Sequence, residues 1–164
     1  MTKRLIALMI SGALLAADLL IKAWVKRRLE GGAAVVLIPR VLQLRYVENR
    51  GVSFSALAGS PAAMRIVSIV TGLMLLAGVV CLLLGKIKET APVACGVMIL
   101  AGGLGNLVDR MFRGYVVDYI ETLFVNFAVF NFADILISCG VFLLAGWLIL
   151  FEGKAAKKTK AVSA

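Results

Sequence analysis

The sequence predicts a mainly α-helical integral membrane protein with four transmembrane helices, a small β-sheet on one membrane surface and an interfacial flap segment. Three observations lead there. Of the 164 residues, 62% are hydrophobic and only 16% charged, with a mean hydropathy of +0.99, whereas soluble domains are about half apolar. Four apolar runs reach roughly the 20 residues needed to cross a bilayer. Between the first two runs lies a stretch too polar to span, and part of it alternates with the two-residue period of a strand.

The first run, about residues 5–25, is expected to be a permanent helix and not a cleaved leader: it lacks a clear small-residue cleavage site and carries Asp18 and Lys22 near its end. Residues 31–60 follow as the β region. There Ala33 to Ile38 is β-branched and apolar, and Leu42, Leu44 and Tyr46 alternate with Gln43 and Arg45. Asn49-Arg50-Gly51 reads as a turn, after which Val52-Ser53-Phe54-Ser55 leads back to the membrane. The remaining helices are expected at about 64–84, 91–108 and 133–151. Residues 112–130 mix aromatics with Asp118 and Glu121, the pattern of an amphipathic interfacial flap. Residues 154–164 form a basic tail, with Lys154, Lys157, Lys158 and Lys160 suited to anionic headgroups or to solvent. No internal repeat divides this single membrane domain, 1–164.

A net charge of +9 would suggest a nucleic-acid partner in a soluble protein. Here the basic residues border the apolar runs, so membrane anchoring accounts for them and no nucleic acid is expected. Lys86, Lys88 and the tail favour cytoplasmic termini, while Lys26, Arg27 and Arg28 pull the other way. The chain has no histidine, which excludes Ser-His-Asp and Cys-His hydrolases and a histidine-based zinc site. Cys81, Cys95 and Cys139 fall singly in three spans, as small apolar residues do, and imply no disulfide framework. Hydrolytic chemistry would have to come from carboxylates, lysine or hydroxyls.

Four spans put both termini on one side. The same parity gathers Asp18, Lys22, Glu48, Asn49, Arg50, Asn106, Asp109, Arg110, Asp118, Asn131 and Asp134 at the opposite face. One-sided clustering predicts an active or binding site at one membrane surface, and carboxylates near lipid are costly enough to require a function. A transporter or channel subunit using Asp18, Asp118 and Asp134 as a relay is the alternative from another class, with a non-catalytic scaffold third. A relay would line a path through the bilayer instead of collecting at one surface.

Structural readings stand beside these. Asp134 can bind the free amides of a helix start, and Asp18 and Lys22, four apart, can pair on one helix face. Asp109 and Arg110 are expected as an interfacial ion pair, and the glycines at 102, 103 and 105 as helix-packing positions. Asn49, Asn106 and Asn131 can bond neighbouring backbone, or place a peptide carbonyl and orient the aspartates.

The succession Asp18-x-x-x-Lys22, Glu48-Asn49-Arg50-Gly51-Val52-Ser53-Phe54, Gly102-Gly103-Leu104-Gly105-Asn106-Leu107-Val108-Asp109-Arg110, Val116-Val117-Asp118-Tyr119 and Phe130-Asn131-Phe132-Ala133-Asp134 resembles the bacterial lipoprotein signal peptidases, signal peptidase II. The resemblance covers nearly the whole chain. It implies a multi-pass aspartic endopeptidase of the bacterial inner membrane, with cytoplasmic termini, an extracytoplasmic β-sheet and its site near the extracytoplasmic face. Such enzymes remove the signal peptide from prolipoproteins, cutting just before a diacylglyceryl-modified cysteine. By motif, Asp118 and Asp134 would be the catalytic pair. Asn49, Asn106, Asp109, Arg110 and Asn131 would bind substrate or support the site, and Asp18 and Lys22 would be structural residues near it. The resemblance implies no metal and no cofactor; the partners would be diacylglyceryl-modified prolipoproteins and membrane lipids, with the chain a monomer. Leu19 stands where a glutamine is commoner, and Arg50, Val52 and Ser53 depart from the usual residues after the asparagine. The chemistry implied needs a water between two carboxyls, one ionised and one protonated. Two close carboxyls share a proton, and the apolar neighbours Val116, Val117, Phe132 and Ala133 would raise one pKa further by desolvation.

Overall fold

The computed structural model describes residues 2–51 and 60–152. The expected lead-back from Val52 to Ser55, including two of the departures noted above, and the basic tail 154–164 lie outside the described residues. Among those described, four helices are long and apolar enough to cross a membrane. They are α1 (Thr2–Leu29), α2 (Pro61–Leu83), α3 (Thr90–Arg113) and α4 (Phe132–Trp147), the last continued by a π-helical turn at Leu148–Glu152. In lipid a helix satisfies its own backbone, so apolar side chains can face outward; Leu73 and Met74 of α2 and Phe142 of α4 do so.

Helix α3 is the centre of the bundle. Half of its apolar window is buried, against 22% for α1 and 11% each for α2 and α4. Small residues make this possible: a Cβ on Gly102 would strike the Ala133 carbonyl oxygen, and one on Gly105 the Asp18 carboxylate. The start of α4 and the middle of α1 therefore press directly onto α3. At one end of the bundle Arg4 Nη1 donates to the Leu83 carbonyl at 2.7 Å, joining the beginning of α1 to the end of α2. The opposite end carries the sheet.

Strands β1 (Val35–Ile38), β2 (Leu42–Asn49) and β3 (Val116–Thr122) form an antiparallel sheet in the order β1-β2-β3. Gly114, at φ 78°, ends α3 in the left-handed conformation and turns the chain into β3. Opposite β3, Leu42 pairs with Thr122, Val47 with Asp118 and Asn49 with Val116. Val25 and Leu29 of α1 pack with Tyr115, Val117 and Tyr119 to seat the sheet on the helices.

Two expectations from the sequence are corrected. Residues 112–130 are not an interfacial flap as a whole, since α3 runs to Arg113 and Val116–Thr122 is the third strand. The chain then returns so that Phe130 bridges to Ile120, its carbonyl accepting from Tyr119 and Ile120. Val116 to Tyr119 are all buried, so a strand covered on both faces shows no polar-apolar alternation. Helix α1 also continues past residue 25 to Leu29, its last turn carrying Lys26, Arg27 and Arg28, where cations suit a helix C-terminus.

Candidate active site

Asp134 is the third residue of α4. Its Oδ2 accepts the Asn131 backbone N–H at 3.0 Å, and Asn131 Oδ1 accepts the Asp134 N–H at 3.0 Å, a reciprocal capping box. The helix-start reading of Asp134 is thus realised, and it leaves the other carboxylate oxygen free for a different contact: Oδ1 accepts Asn106 Nδ2 at 2.8 Å. Asp118 projects from β3. Its Oδ2 accepts Asn49 Nδ2 at 2.9 Å and its Oδ1 accepts Asn131 Nδ2 at 2.6 Å. Asn131, fully buried, therefore holds one aspartate with its side chain and the other with its backbone.

Behind this pair lies a buried ionic cluster. Lys22 Nζ, with no exposure, is 2.9 Å from Asp18 Oδ2 and 3.2 Å from Asp109 Oδ2, and donates to Asn106 Oδ1 at 2.9 Å. An ammonium can only donate, so this contact fixes which end of the Asn106 amide is oxygen and turns its nitrogen to Asp134. Asp18 Oδ1 accepts the Ala133 N–H at 3.1 Å, and Asp109 Oδ2 accepts the Val117 N–H at 3.1 Å. Three elements that carry the site are thereby pinned to one lysine.

The expected Asp109–Arg110 ion pair does not form. Consecutive helical residues point about 100° apart. Asp109 turns inward to Lys22 and to Arg113, one turn on, while Arg110 faces the site. Its Nη2 is 3.5 Å from the Gly51 carbonyl oxygen, and its buried Nε has no hydrogen-bond partner among the described residues.

A cavity of about 620 Å³ opens beside the two aspartates. Asn49, Asn106, Arg110, Asp118 and Asp134 form its polar end; Val67 and Thr71 of α2 and Ile135, Ser138 and Cys139 of α4 line its membrane side. Residues 127–130 close another wall. Of the residues singled out in the sequence, Asp18, Lys22, Asp109 and the fully buried Asn131 stand behind this wall and not in it. Glu48 is turned away as well, pairing with Arg50 at 2.8 Å.

Burial pushes the Asp118 carboxyl up to about 6, helped by the nearby Asp134 charge and opposed by the amides of Asn49 and Asn131. The neighbouring Tyr119 hydroxyl is pushed up to about 12, chiefly by burial. It accepts the Phe132 N–H at 3.2 Å. Sequence reasoning missed Tyr119, Tyr115 and Arg113; the two tyrosines flanking the Val-Val-Asp phrase were the available signal. Chemically, the arrangement offers two amide-bonded carboxyls, one inclined to keep a proton at mildly acidic pH, facing a space that reaches between membrane helices.

The family model described as Signal peptidase (SPase) II matches residues 10–150. The chain is 33% identical over 145 residues to the lipoprotein signal peptidase of Streptococcus pneumoniae, covering 88% of this chain and 92% of that protein. It is 37% identical over 130 residues to that of Latilactobacillus sakei, covering 78% and 83%. A solved bacterial membrane enzyme superposes with a TM-score of 0.75 at 26% identity, over 92% of this chain and 90% of the other.

Proposed function

We propose, from the premise that this chain belongs to the signal peptidase II family of prolipoprotein-processing membrane peptidases, that Asp118 and Asp134 are its catalytic pair. The bond cut is the one just before a diacylglyceryl-modified cysteine. The observation that carries this reading is Asn131, bonded to both carboxylates on the wall of a cavity that has a polar end and a membrane side.

Asp118, the carboxyl raised to about 6, bears the shared proton and hydrogen-bonds the scissile carbonyl oxygen. Asp134 takes a proton from the water held between the two carboxyls, and the resulting hydroxide attacks the carbonyl carbon. The tetrahedral intermediate collapses as Asp134 returns that proton to the leaving amine. Asn49, Asn106 and Asn131 keep both carboxyls in place through this exchange, so little reorganisation is needed at the reacting atoms. Arg110, with its unpartnered Nε beside the cavity, binds substrate carbonyl groups. The proposed setting is the bacterial inner membrane, with Lys86, Lys88 and both termini cytoplasmic and the aspartates extracytoplasmic. One chain carries both aspartates, which fits a monomer.

Asp118→Asn and Asp134→Asn are each expected to lower cleavage of a lipid-modified prolipoprotein by about a thousandfold or more, with expression and membrane insertion unchanged. The check is turnover by purified protein. Near wild-type turnover in either variant would overturn the assignment.

A further inference from the structure

The hydroxyl of Tyr115 joins α1 to β2 where the sheet seats on the helices. Lys26 Nζ, from the last turn of α1, donates to it at 2.7 Å. Tyr46 of β2 brings its own hydroxyl to 3.3 Å and donates to Glu48 Oε1 at 3.2 Å. Glu48 Oε2 in turn accepts Arg50 Nη2 at 2.8 Å, and the Arg50 guanidinium returns over the Tyr115 ring at 5.5 Å from its centroid. Arg50 is held from two directions, by a carboxylate and by an aromatic face.

Arg50 is the middle of the turn that delivers Asn49. Gly51 N–H donates to Asn49 Oδ1 at 2.9 Å, which leaves Asn49 Nδ2 for Asp118. None of Lys26, Tyr46, Glu48, Arg50 or Tyr115 lines the cavity. The cluster cannot touch substrate there, yet it fixes the backbone on both sides of the asparagine that does contact the reacting carboxyl.

We propose that Tyr115 is a positioning residue: its hydroxyl clamps the Asn49-Arg50-Gly51 turn so that the Asn49 amide stays on Asp118. This rests on the reading of Asp118 and Asp134 as the catalytic pair. The clamp keeps its charge pattern while Asp118 titrates, because Arg50 holds the Glu48 carboxyl below its ordinary range and burial holds the Tyr46 hydroxyl above its own. The groups facing Tyr115 are Lys26, Tyr46, Glu48 and Arg50, with Glu30 beside Lys26. Those facing Asp118 are Asn49, Asn131, Asp134, Lys22 and Arg110. A loosened Asn49 no longer favours the Asp118 carboxylate, so the shared proton leaves at higher pH.

Tyr115→Phe keeps the ring in its apolar seat and removes only the hydroxyl. In detergent micelles, with a diacylglyceryl-modified prolipoprotein as substrate, kcat is expected to fall about tenfold, as misplacement near a reacting centre does, while KM moves less. The alkaline limb of the kcat/KM profile should shift to higher pH by about half a unit, with the thermal midpoint unchanged. Lys26→Met, on the other side of the hydroxyl, should give the same displacement, and the double variant no more than either single one. Wild-type kcat and pH profile in Tyr115→Phe, or a loss that only tracks the folded fraction, would overturn the inference. Asp118→Asn in the same assay separates the two readings. If it cleaves normally, the catalytic pair and with it the clamp are wrong; if it is inactive while Tyr115→Phe is unchanged, only the clamp falls.

Discussion

Asp118 shows how one buried carboxyl ties stability to pH. Its pKa rises from 3.8 to about 6 on folding, mainly through burial. A carboxyl raised in this way contributes stability that is fully present below its unfolded pKa and is lost as pH rises through its folded one. The window is therefore about pH 4 to 6, and two units correspond to about 3 kcal/mol. Thermal unfolding in detergent should show the wild-type chain losing stability across that window, with Asp118→Asn flattening this part of the profile. Identical slopes in the two proteins would mean that Asp118 is not the group responsible. Residue types near the site were legible in the sequence: all three asparagines do donate to the aspartates. Directions were not. Asp109 and Arg110 are neighbours in sequence, and only the helix shows that one serves Lys22 while the other faces the cavity.

Helices α1, α3 and α4 meet at Lys22 and Gly105. Asp18→Asn removes one of two carboxylates compensating a fully buried ammonium, and breaking such a pair costs about 3 kcal/mol. A lowered thermal midpoint is expected, with the surviving folded fraction still turning over substrate. Gly105→Ala should destabilise in the same direction, because its Cβ enters the space of the Asp18 carboxylate, and the two changes together should be less than additive. A stable but inactive Asp18→Asn protein would instead move Asp18 into the reaction. The spans were legible because lipid demands long apolar runs whatever their partners. Strand β3 was not. Its partner β2 lies some 70 residues earlier, as the Val47 and Asp118 pair illustrates, and its first residues are buried on both faces. Neither pairing nor periodicity was there to be read locally. Lys26 likewise looked like a charge bearing on orientation, and its bond to Tyr115 exists only once β3 is docked.

At the scale of the whole molecule, the cavity has a polar end beside the aspartates and a membrane side between α2 and α4. Acyl chains resting in lipid would set the depth of the modified cysteine, so that binding energy remote from the bond is used to place it. A prolipoprotein without its diacylglyceryl group should be cut about a hundredfold more slowly, and a soluble peptide of the same sequence scarcely at all. Equal kcat/KM for the lipidated and unlipidated substrates in the same detergent would point to a general intramembrane peptidase. The two aspartates themselves come from different kinds of element. Asp118 belongs to a sheet strand and Asp134 to the first turn of a membrane helix. If the two form the catalytic pair as proposed, a bundle without its sheet holds only one of the two carboxyls and is inert. Hydrolytic competence would then require the sheet to be docked, so a half-assembled chain would pose no threat to the membrane proteins around it.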